Sequence, residues 1–170
     1  MIVLRERLVD FNGAVQDAVV LPFELRQRAR LRTVSAAGRD TGIFLERGTT
    51  LRGGDLLRSE CGMVVEVVSE SEMLMEVRCA EPAQLARLAY HLGNRHVHVQ
   101  VGAGFLRTPE DYVLRDMLLQ LGAQVASVTA PFDPESGAYG GHHHAMAAPI
   151  EPEFRYLPKL HLFGTARERN

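Results

Sequence analysis

Residues 73–102, MLMEVRCAEPAQLARLAYHLGNRHVHVQVG, change their period twice. Met73, Met75, Val77 and Cys79 alternate with Leu74, Glu76 and Arg78, the two-residue period of a strand. Pro82 can open a helix at its first turn, and Leu85, Leu88, Ala89 and Leu92 then recur at i, i+3, i+4, i+7 as one apolar stripe. Gly93 is placed to stop it. Period two then returns, with Val97, Val99 and Val101 on one side and His96, His98 and Gln100 on the other.

The chain downstream repeats this grammar. GAGFLRT turns and comes back as a short strand, and Thr108-Pro109-Glu110-Asp111 reads as a helix start. There Thr108 is expected to accept backbone N–H groups, while the two acids meet the positive helix end. Val113, Leu114, Met117, Leu118 and Leu121 form the apolar stripe of that helix, Gly122 ends it, and AQVASVTA supplies a last strand. The order β-α-β-β-α-β predicts a ferredoxin-like domain over residues 72–130. Its helices would cover one face of the sheet and leave the other to a second chain or domain.

Residues 1–71 read differently. Short β-prone runs separated by turn signals at Ala37-Gly38, Arg47-Gly48 and Gly53-Gly54 predict a small all-β barrel or sandwich, and the whole is α+β. Arg26, Arg28, Arg30 and Arg32 alternate there, and strand period would put all four on one face. That face is either a docking surface for an acidic protein or RNA, or a solvated exterior. Residues 131–170 are rich in Pro, Gly and Ala without apolar periodicity and are predicted to be a flexible tail, in which the apolar YLPKLHLF run has no evident docking place.

A net charge of −2 argues against a general affinity for nucleic acid or anionic membranes. No apolar run approaches the roughly 20 residues that span a bilayer. The start, MIVLRERLVDF, carries charges where a signal peptide needs an apolar core, so a cytoplasmic protein is expected. Cys61 and Cys79 form no CxxC pair and read as reduced, partly buried small hydrophobes.

The histidines carry the chemistry. An HxH on a strand, His96 and His98, holds two imidazoles on one side, able to converge on one metal ion or simply to sit as polar residues on an exposed face. Two are too few for a closed site, but a two-fold axis joining two open faces would double the count. His142, His143 and His144 form a second cluster behind Gly140-Gly141, a mobile imidazole tract unless it is a fragment of an engineered tag. His91 falls on the last helical turn, where its polar ring suits the negative helix end, and reads as structural. Catalysis is not expected. The HxH of metal-dependent amidohydrolases needs a barrel of roughly 250 residues. No HExxH occurs either, and Glu110 or Asp111 would have to act as base without support.

LGNRHVHVQ closely resembles the GNRH signature of the UreE family of urease accessory proteins, the nickel metallochaperones of urease maturation. LPFELRQRARLR and GIFLERGTTLRGGDLL resemble the family's N-terminal β-domain, DYVLRDMLLQLGAQV its second helix and last strand, and the likeness runs through residues 1–145. The resemblance implies a homodimer joined through the second domain; whether dimers pair further around a metal is left open by the sequence. It implies that His96 of each copy shares one Ni(II) as cargo, with His98 a possible neighbour or ligand and His142, His143 and His144 supplementing. It further implies a peptide-binding-like N-terminal domain, docking with the urease accessory GTPase, and transfer of nickel to apo-urease. Where some relatives carry further histidines this chain has Pro109, Glu110 and Tyr112, so that accessory site is not expected, and three tail histidines imply modest capacity. The competing readings are a buffer for Zn(II) or Cu(II) and a protein- or RNA-binding module with incidental metal.

Overall fold

Two separate patterns of buried aliphatic residues build two sheets. In the first, the strand residues Leu4, Val19, Leu21, Ile43, Leu57, Val65 and Val67 close into one core with Leu51. Each such side chain stabilises the fold by roughly 1.5–3 kcal/mol when fully withdrawn from water. The strands are β1 (Ile2–Leu8), β2 (Asp17–Leu21), β3 (Arg30–Val34), β4 (Asp40–Phe44), β5 (Leu56–Ser59) and β6 (Val64–Ser69). They lie in the order β2-β6-β5-β1-β4-β3. β1 with β4 and β2 with β6 run parallel, and the other neighbours run antiparallel. The Ala36 N–H donates to the Ala18 carbonyl at 2.7 Å, and Arg39 pairs with Asp17 at 3.1 Å. The β3–β4 turn is thereby tied to the opposite edge strand, so the sheet curls back on itself. The fold is α+β. The computed structural model describes residues 1–136, which form one unit.

The second sheet is made of β7 (Ser71–Arg78), β8 (Gln100–Gly102), β9 (Phe105–Pro109) and β10 (Gln124–Pro131), in the order β10-β7-β9-β8 with every pair antiparallel. α2 (Pro82–Gly93) and α3 (Tyr112–Gln120) lie on one face. Leu88 and Leu92 from α2 and Leu114 and Leu118 from α3 bury against Met75, Val77 and Leu106. Leu85, Ala89, Met117 and Leu121 pack around them as their spacing required. Val113 does not join the stripe and stands exposed.

Several expectations need correction. Asp111, not Thr108, caps α3: its side chain accepts the Leu114 N–H at 2.9 Å. Thr108 belongs to β9, where its hydroxyl is buried without a partner among the described residues. A four-arginine strand face does not exist either. Pro22 precedes a single helical turn, α1 (Phe23–Arg26), and β3 begins only at Arg30. Arg26 is fully buried, Arg28 pairs with Glu24 one helical turn away, and only Arg30 and Arg32 share an exposed strand face. The feature that suggested RNA or an acidic partner is therefore absent. Cys61 is exposed rather than partly buried. Finally, residues 131–136 are not loose tail: Pro131 pairs with Ser71 in β10, and Phe132 and Pro134 are buried.

Candidate metal centre

α2 ends at Gly93 and the chain leaves it by a tight turn. The Asn94, Arg95 and His96 N–H groups donate to the carbonyls of Tyr90, Leu92 and Gly93 at 3.0, 3.0 and 2.9 Å. His96 closes that turn with φ of 55°, in the left-handed region that L-residues seldom enter. Its side chain is exposed. The strand expected from Arg95 onward is shorter than the valine alternation suggested. β9 offers partners only to Gln100, Val101 and Gly102, so residues 97–99 lie outside the strand ladder. Val97 and Val99 still turn into the helix-side core, while Val101 stays exposed.

His98 lies on the other side, and there the sheet is not bare. Phe23 and Phe132 cover Leu74, which is 1% exposed, with Val128 and Ala130 packed beside them. The His98 ring stands edge-on to Phe23, with centroids 4.8 Å apart. Part of the face expected to be left to a second chain or domain is thus occupied by Phe23, from residues 1–71, and by Phe132. His91 is on the last turn of α2, edge-on to Tyr90, and its carbonyl accepts from Arg95 at 3.0 Å. His142, His143 and His144 lie outside the described residues.

The acids of this sheet are already engaged. Arg107 and Arg78 hold Glu76 at 2.8 and 2.7 Å, and hydrogen bonding by Arg107, outweighing partial burial, keeps its carboxyl below the usual range. Glu110 is lowered by Ser127 and Arg115. Burial pushes Asp133 upward, but Ser69, Arg26 and the Gly53 N–H together hold it below its ordinary value. Among the described residues, no three of His, Cys, Asp and Glu gather where they could hold a metal ion. What the turn presents is an exposed histidine on left-handed backbone.

Comparison with known proteins bears on what such a surface serves. The family model described as the N-terminal domain of the UreE urease accessory protein matches residues 5–70, and that of its C-terminal domain matches residues 72–153. The chain belongs to the UreE family. Urease accessory protein UreE of Pseudomonas fluorescens strain Pf0-1 is 55% identical over 146 residues, covering 85% of this chain and 87% of that protein. The protein of that name from Azotobacter vinelandii is 53% identical over 149 residues, covering 86% and 89%. The one from Ectopseudomonas mendocina is 47% identical over 168 residues, covering 98% of this chain and 100% of the relative. UreE is an accessory chaperone family rather than an enzyme family. No helix among the described residues is long and apolar enough to cross a membrane.

Seen within the UreE family, Gly93 to His96, the run that carried the resemblance, is the turn itself. Sequence reading missed the residues packed beyond that turn: Phe23, whose ring meets His98, Asp133, whose N–H reaches Gln100, and Arg26, which pairs with Asp133. The one local signal was Pro131-Phe132-Asp133, an aromatic and an acid placed just past the last strand.

Proposed function

We propose that this protein is a nickel metallochaperone that delivers Ni(II) during urease maturation by labile histidine coordination between two copies of the chain. The observation that carries the reading is His96, an exposed imidazole held at φ of 55° at the close of a hydrogen-bonded turn. A left-handed non-glycine residue persists only where its surroundings over-determine it, and such residues cluster at functional sites. Neutral imidazole suits nickel, and a donor set that one copy cannot complete is filled by a second copy across a two-fold axis. His98 and the tail residues His142, His143 and His144 would then supply further ligands. An under-coordinated surface site releases its cargo readily, as a donor must. Because only the neutral ring ligates, binding weakens on acidification.

In this reading residues 72–130 form a ferredoxin-like domain, supported by the element order and by sheet order β10-β7-β9-β8. Residues 1–71 form the domain that meets the urease accessory GTPase and apo-urease in the cytoplasm, and the histidine-bearing tail follows.

Nickel titration by calorimetry, with molar mass measured with and without metal, tests this. The parent protein should bind nickel tightly as a dimer, and His96→Ala should lose the tight site while remaining dimeric. Removing residues 140–170 should lower affinity or stoichiometry yet leave a site. Unchanged tight binding in His96→Ala would overturn the assignment. Copper outranks nickel for such ligands, so competition at fixed pH shows whether selectivity resides in the protein or in supply.

A further inference from the structure

After β10 the chain does not leave the fold at once. Residues 132–136 run between the first sheet and the approach to β8, held from both sides. On the β8 side the Glu135 N–H donates to the Val99 carbonyl at 2.8 Å, and the Asp133 N–H reaches Gln100 Oε1 at 3.4 Å. On the other side Asp133 accepts from Ser69 Oγ at 2.8 Å and from the Gly53 N–H at 3.3 Å, while Arg52 donates to Ser136 Oγ at 2.7 Å.

The centre of this strap is Arg26, whose side chain is wholly shielded from solvent. Nε donates to the Leu21 carbonyl at 3.1 Å and Nη1 to the Leu51 carbonyl at 3.3 Å. Nη1 also meets the Asp133 carboxylate, and Nη2 donates to the Phe132 carbonyl. A buried guanidinium is tolerated only when paired and hydrogen-bonded, and here its donors are spread over acceptors from both the first sheet and the strap. Its carbon lies 5.4 Å from the centroid of Phe23, the ring against which His98 stands edge-on at 4.8 Å and Phe132 at 5.4 Å. Arg26 therefore reaches the histidine segment by two routes: through the Phe23 ring, and through Asp133 and the strap to Val99.

We propose that Arg26 is a positioning residue for His98, fixing the direction in which that imidazole is presented at the nickel surface. Its value for metal binding rests on the proposed role of the histidines as nickel donors. Its geometric part does not. Lysine could not substitute, because a single ammonium lacks the planar fork needed to span both sets of acceptors.

The test uses the full chain with Arg26→Gln, His98→Ala and the double variant. Phe23 displaces the His98 ring-proton resonances through its ring current, so in metal-free protein Arg26→Gln should collapse that displacement while the His91 resonances stay in place. In nickel titrations Arg26→Gln should weaken binding by about tenfold, the scale seen when an outer-shell partner is removed. Adding Arg26→Gln to His98→Ala should then weaken it no further, the signature of two residues acting through one contact. An unchanged His98 resonance, or two losses that simply add, overturns the proposal. If His98→Ala leaves nickel binding intact, the donor role of His98 falls, and the resonance measurement alone still decides whether Arg26 positions it. Should Arg26→Gln not fold, Asp133→Asn breaks the same pair and is read by the same two measurements.

Discussion

Replacing His96 with glycine should stabilise the metal-free protein while removing the proposed nickel ligand. His96 sits at φ of 55°, and its exposed side chain gives little packing in return. The left-handed conformation costs an L-residue roughly 1–2 kcal/mol, and histidine, which enters it more readily than most, belongs near ~1. Glycine escapes that cost but loses about 0.5–1 kcal/mol through its greater freedom in the unfolded chain. The balance leaves His96→Gly more stable than the parent by up to ~0.5 kcal/mol. His96→Ala keeps a Cβ in the same strained backbone, so glycine should exceed alanine by about 0.5–1 kcal/mol. For a unit of this size that is a difference of a few degrees, about 2–8 °C per kcal/mol, in melting temperature. Urea and thermal unfolding of parent, His96→Ala and His96→Gly in chelator is the assay, because bound metal would add its own stabilisation. An alanine variant as stable as the glycine variant would refute the strain. Stability gained as nickel binding is lost would show that the strain is kept for function.

Two further outcomes follow from the ionisable groups. Burial raises Asp133, but Ser69, Arg26 and Gly53 hold it below its ordinary 3.8, and Glu76 is held below 4.5 chiefly by Arg107. Depressed folded values mean stability that is full above the ordinary carboxyl range and is lost as pH falls through the lowered values. Asp133→Asn should therefore show a smaller acid-induced drop in urea midpoint below the carboxyl range than the parent, and identical pH slopes would contradict this. Cys61 is exposed, and its thiol is drawn below 9.0 first by the Ser59 hydroxyl 3.1 Å away, then by the Met63 N–H. A thiol reagent should modify Cys61 well before Cys79 in folded protein, and Ser59→Ala should slow it. Equal rates at the two cysteines would refute the assignment.

Much of the second half was legible locally. The stripes of Leu85, Leu88 and Leu92 and of Leu114 and Leu118, the alternation in 73–79, and the stops at Gly93 and Gly122 state their own element type. Where the element type is set locally, spacing along the segment sets which side chains share a face. The errors have a common origin. An alternation of Arg26, Arg28, Arg30 and Arg32 is compatible with a strand, yet Pro22 favours a turn of helix there, and carbonyls at Leu21, Leu51 and Phe132 bury the first arginine. The strand predicted at His96 and His98 was curtailed because β9 supplies no partners before Gln100, and the turn out of α2 placed His96 in the left-handed region.

The pattern of residues thus dictates the order of elements, their inward faces and the histidines that chemistry would use. Which face is covered, and by what, depends on contacts between residues far apart in the chain, such as Arg26 with Asp133 and Phe23 with His98. No local periodicity encodes those contacts. They arise when two sheets, each with its own core, are brought together around one buried guanidinium.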